Sequence, residues 1–111
     1  MQISRTWVLC LSPVKSKLYR LHVAQNAIER VFELPSADPE SLAAEVEFAC
    51  GFGSTEQIIL CGDFRLVNLV CQRVPDDIRQ RIAGIINQNL VEADPEQVRL
   101  LTQPAAVKHT A

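Results

Sequence analysis

The stretch "EQIILCGDFRLVNLV", residues 56–70, places a carboxylate directly after a greasy strand pattern. Asp63 follows Gly62, and Arg65 stands two residues on. A carboxylate at the carboxyl end of a sheet strand can hold a ligand there. It can equally accept hydrogen bonds from the first N–H groups of a helix, which requires no other residue. Chemistry at Asp63 would require partners, and Arg65 is the only charged residue near it in sequence. A second set is Lys15, Lys17, Tyr19 and Arg20 around the first strand break, with Arg73, Arg79 and Arg81 forming another basic group. Solvated faces are the plainer reading of both. The sharper one is a pair of small basic patches touching RNA, with Tyr19 stacking on a base.

Several chemistries lack their residues. Cys10, Cys50, Cys61 and Cys71 are never within four positions of each other, so no Cys-x-x-Cys half-site for zinc exists. All four sit in apolar segments and read as buried, reduced thiols. A nucleophilic cysteine needs a histidine, and the sequence offers only His22, in a strand pattern, and His109, near the end. Gly51-Phe52-Gly53-Ser54 follows a helix pattern instead of opening one, and no Gly-x-Ser-x-Gly elbow occurs. No metal and no cofactor is expected.

The 111 residues suit one domain, with 48% hydrophobic residues and few aromatics, so aliphatic side chains must build the core. A net charge of -2 argues against a dominant nucleic-acid footprint. No apolar run reaches the roughly 20 residues of a membrane span. The apolar part of the N-terminus, 7–11, is too short for a secretory signal, so a cytoplasmic location is expected.

The elements that would position these residues follow from period and punctuation. Residues 5–11 are apolar on both faces, as in a central strand. Residues 17–24 alternate, and 27–34 follow after Gln25-Asn26, giving an antiparallel meander with Glu29 and Glu33 on an exposed face. Leu42, Val46, Ala49 and Cys50 then recur at helical spacing, with Asp38 as cap, Pro39 entering and Gly51 as stop. A short buried strand ends at Cys61. A helix runs from Asp63 to about Arg73, and a short one follows Pro75. Residues 76–90 fit either a helix followed by a strand at 82–90 or one long helix; Gly84 and the β-branched residues favour the strand. Asp94-Pro95-Glu96 opens a last helix, and 104–111 reads as a frayed tail after a single domain at 1–103. The order is β-β-β-α-β-α-β-α with one short extra helix. A meander followed by a crossover predicts a mixed α/β fold with a five-stranded mixed sheet, strand 1 central beside strand 4, in the ribonuclease H-like arrangement. Ribonuclease H chemistry clusters carboxylates around two metals. Strand 1 offers Trp7, Val8, Leu9, Cys10 and Leu11, with no acid.

"WVLCLSPVKSKLYRL" resembles the start of the bacterial host-attachment-like proteins, themselves similar to the ribonuclease H-like middle domain of archaeal and eukaryotic-type peptide release factors. "IILCGDFRLVNLVCQRVPDDIRQRI" resembles their strand, turn and Leu-rich helix, with Arg65 matching the arginine of the turn. "IINQNLVEADPEQV" resembles the segment before their last helix, with Asn89-Leu90 where Asp-Leu is usual. The resemblance covers about 5–102 and implies an association with the ribosome or translation. The Gly-Gly-Gln loop of release factors would fall in "LPSADP", which has neither residue, so termination activity is not implied.

The leading expectation is a non-catalytic interaction module with a protein or ribosomal partner. The alternatives are a small hydrolase or nuclease with an atypical site near Asp63 and Arg65, and an RNA-binding module using Lys15, Lys17, Tyr19 and Arg20. An exposed edge, at strand 3 or the last strand, could also pair two copies.

Overall fold

The computed structural model describes residues 5–34, 38–50 and 56–110. The meander forms as β1 (Arg5–Leu11), β2 (Ser16–His22) and β3 (Ala27–Leu34). A 3-10 turn at Val23–Gln25 ends β2 two residues earlier than the alternation predicts, and Asn26 closes it in the left-handed region at φ 51°. Asparagine tolerates that conformation better than most residues. Helix α1 (Pro39–Cys50) starts where predicted: Asp38 Oδ2 accepts from the Ser41 N–H at 3.2 Å. The expected stop at Gly51 lies outside the described residues.

Strand β4 (Glu56–Cys61) leads into α2 (Phe64–Arg73) and the single turn α3 (Asp76–Arg79). Residues 76–90 are therefore not one helix. Strand β5 is Ile82–Ile86, shorter than predicted. Asn87, Gln88 and Asn89 leave the sheet, and Leu90 and Val91 fold back into the core. Helix α4 spans Pro95–Thr110, past residue 104, where the tail was expected to begin. Pro104 cannot donate to the carbonyl one turn earlier, which normally breaks a helix. The second half is held by burial: Ala106 is fully buried, and Ala105 packs on the sheet.

The sheet is five-stranded and mixed, in the order β3-β2-β1-β4-β5. Strands β1, β2 and β3 pair antiparallel, while β1–β4 and β4–β5 pair parallel. The two central strands are apolar on both faces because both faces are covered. Leu9, Leu11, Ile58 and Leu60 meet α1, α2 and α3 on one side. Val8, Cys10, Ile59 and Cys61 meet α4 on the other.

One register shift overturns a sequence expectation. Leu18 pairs with Phe32 but Tyr19 pairs with Arg30, so Val31 is an extra residue in β3. Such a bulge flips every later side chain to the other face. Glu29 lies opposite Arg20 and Glu33 opposite Lys17, so the two glutamates occupy opposite faces.

Candidate functional site

Strands β1, β4 and β5 all point their carboxyl ends the same way, and the residues singled out from the sequence divide around that end. The chain leaves β1 through a tight turn held by Ser12. The Ser12 hydroxyl donates to the Lys15 carbonyl at 2.8 Å and accepts from the Lys15 N–H at 3.2 Å. Beside it, β4 ends at Cys61, and the N–H of the next residue, Gly62, donates to the Ile86 carbonyl of β5 at 3.0 Å. A side chain at Gly62 is excluded: its φ is 151°, and a Cβ there would lie 2.7 Å from the Leu11 carbonyl oxygen. The turn before Asp63 is thus fixed by contact with β1.

Asp63 is the N-cap of α2. Its Oδ1 accepts from the Arg65 N–H at 2.8 Å, and its carbonyl accepts from the Val67 N–H at 3.0 Å. Both Asp63 and Arg65 are exposed. The link between them is main-chain capping geometry, which accounts for the spacing of the two residues.

The basic group does not form one patch. Successive strand residues face opposite sides. Tyr19 joins Val8 and Cys10 under α4 and is 1% exposed, so it is packed as a lone strand aromatic usually is and is unavailable for the alternative, stacking on a base. Its burial raises its hydroxyl pKa above the ordinary value. Arg20 lies on the other face, with its guanidinium 5.1 Å from the centre of the Trp7 ring. That is the geometry of a cation–π contact. Lys15 and Lys17 remain at the carboxyl end, each facing an acid. Lys15 Nζ lies 2.8 Å from Glu92 Oε1, and Lys17 Nζ lies 3.9 Å from Glu33 Oε1. The hydrogen bond raises the Lys15 pKa and lowers that of Glu92. Arg79, in the second basic group, is held by Asp76 and by the carbonyls of Cys71 and Val74.

At the ends of the two central parallel strands stand two thiols. Cys10 pairs with Cys61 in register, and both are fully buried. The hydrogen bond to Cys10, then burial, hold the Cys61 thiol far above its ordinary pKa, so it is neutral at physiological pH. Such a thiol is a poor nucleophile. Cys71 is a free thiol on the partly exposed side of α2, and its pKa is raised by burial. The Cys50 side chain lies outside the described residues. The juxtaposition of Cys10 and Cys61 was not anticipated, although "VLCLS" and "IILCGD" both set a cysteine just before a strand break. The role of Glu92 was also missed, because it lies 77 residues from Lys15 with no motif to connect them.

Among the described residues, no three His, Cys, Asp or Glu side chains converge on a point that could hold a metal. Among them, too, no helix is long and apolar enough to cross a membrane. Comparison of the sequence with protein-family models and with curated proteins finds no match.

Proposed function

We propose that this chain is a non-catalytic interaction module on a ribonuclease H-like sheet, acting in the cytoplasm on a protein or ribosomal partner. The fold reading is supported by the strand order β3-β2-β1-β4-β5, with a three-stranded meander followed by two parallel strands. The functional reading is carried by one observation. Where this type of sheet presents its reactive groups, at the carboxyl ends of β1 and β4, the chain has two buried thiols, and the nearby Asp63 carboxylate caps α2. What the site offers a partner is a charge-alternating rim of Lys15, Glu92, Lys17 and Glu33, with the exposed Val14 next to Lys15 in the chain. The ribosomal side of the proposal rests on the resemblance to release-factor middle domains.

The test is co-sedimentation of the purified chain with ribosomes, beside RNA-cleavage assays with magnesium or manganese. Binding that is weakened by Lys15→Glu or Lys17→Glu, without cleavage, is expected. Cleavage that disappears in Asp63→Ala would replace this reading with the hydrolase alternative.

A further inference from the structure

Among the described strands, the sheet has two edges of opposite character. Edge strand β3 carries Glu29, Arg30 and Glu33, and its bulge at Val31 interrupts the ladder. Charges and bulges are the usual protection of an edge against a second chain. Edge strand β5 reads Ile-Ala-Gly-Ile-Ile, with no ionisable side chain and no proline. It has a register shift too, at Ala83, but pairing is regular from Gly84 to Ile86. The Ile86 carbonyl is turned towards β4, where it accepts from Gly62. Backbone groups alternate sides along a strand, so the N–H and carbonyl of Ile85 face the open edge. The Ile85 side chain is 44% exposed.

The apolar surface continues from this edge onto α4. Gly84 lets the helix come close: a Cβ there would sit 3.2 Å from the Ala105 Cβ. Leu101 stands one turn before Ala105 on the same side of the helix and is 37% exposed. Leu100, 59% exposed, and Pro104 adjoin it on the outer surface.

We propose that β5 and this flank of α4 form a two-fold interface with a second copy of the chain. This inference goes beyond the binding of a foreign partner and does not depend on it. An antiparallel pairing with the two-fold axis at Ile85, perpendicular to the sheet, joins the two sheets into one. It sets Gly84 opposite Ile86 and Arg81 opposite Asn89, so no like charges meet. The same axis keeps both α4 helices on one face and lays them side by side. Leu101 and Pro104 then leave water in the same step as the strand edge. That second contact matters, because a stable interface needs about 1,200 Å² or more, which a five-residue edge cannot supply alone. Edge β3 is a poor alternative, since the bulge at Val31 interrupts its ladder and its exposed charges Glu29, Arg30 and Glu33 would have to be covered. A β3-to-β5 contact would be heterologous and would give a ring or a filament, not a two-fold dimer.

The experiment is sedimentation velocity of the full chain over a wide concentration series, with hydrogen exchange read at the Ile85 amide. Wild type and Val31→Lys are expected to form dimers. Ile85→Lys and Leu101→Glu should each weaken the dimer at least about ten-fold, because each buries like charges across the axis. Protection of the Ile85 amide should rise with wild-type concentration. A monomer at every concentration overturns the proposal, as does a dimer indifferent to both variants. A dimer broken by Val31→Lys moves the interface to the other edge. Circular dichroism establishes that the variants are folded; should one unfold, exchange at Ile85 in the wild-type chain decides alone.

Discussion

The two faces of the sheet are packed from different materials. Beneath α1, α2 and α3 the core is aliphatic, built from Leu9, Leu11, Leu18, Leu42, Val46, Ile58, Leu60, Val67 and Val70. Beneath α4 the buried set includes Cys10, Tyr19 and Cys61, and three polar side chains go under with it: Thr6, Gln57 and Thr102. Gln57 Nε2 donates to Thr6 Oγ1 at 2.7 Å, and Thr102 Oγ1 donates to the Val98 carbonyl at 2.7 Å. Hydrocarbon packing is non-directional and tolerates rearrangement at constant volume. Buried polar atoms tolerate it far less, because each lost hydrogen bond leaves a desolvated group behind. The aliphatic face should therefore hold most of the stability, and the α4 face should hold most of its sensitivity to chemistry.

The largest test of that contrast is truncation on either side of one strand. Leu60→Ala should cost about 2–5 kcal/mol, as a fully buried leucine leaves a cavity. Cys61→Ala, its neighbour on the other face, should cost only about 1–2 kcal/mol, because a small side chain is lost. Urea denaturation measures both, and equal costs would erase the distinction. Next comes the polar pair. Thr6→Val should cost about 1–3 kcal/mol by leaving the Gln57 amide with only its long contact, 3.5 Å, to the Ala106 carbonyl. Thr6→Val with Gln57→Met should cost less than the sum of the two single changes, which a double-mutant cycle reads directly.

A pH series sharpens the comparison further. Tyr19 and the fully buried Cys61, both on the α4 face, have raised pKa values in the folded chain, against ordinary values of 10.0 and 9.0, and the partly exposed Cys71 is the one raised thiol on the aliphatic side among the described residues. Raised folded values mean that stability is fully present below pH 9. Above it the unfolded chain releases protons that the folded chain retains, so stability falls as pH rises, by up to about 1.4 kcal/mol per pH unit for each group. Melts between neutral and alkaline pH should show this fall, and Cys61→Ala should flatten its first part. The smallest effect concerns α2, on the aliphatic side. Asp63→Ala should cost about 0.5–2 kcal/mol, with Asn or Ser retaining most of the stability. If Asp63→Ala melts at or above wild type, the carboxylate serves a ligand and not the helix.

What was legible from the sequence was whatever short-range chemistry specifies. Asp38 and Asp63 accept from the N–H groups three and two residues on, respectively, so their capping could be read without knowing the rest of the fold. The apolar runs of β1 and β4 placed both strands inside the sheet for the same local reason. Tyr19, Lys17 and Arg20 show where such reading stops. Their types are compatible with a surface patch, but which one is buried depends on what covers each face of β2. Glu29 and Glu33 show it again, since one extra residue at Val31 turns them to opposite sides.

Outside 76–90 and the 3-10 turn at Val23–Gln25, the sequence by itself determined the kinds of elements and their order, because propensity, period and capping act within a few residues. Only the tertiary structure decided that Lys15 meets Glu92, that Cys10 lies against Cys61, and that α4 continues past Pro104. Each depends on segments distant in the chain being brought together by burial. No local signal encodes that, because the free energy belongs to the contact and not to either segment alone.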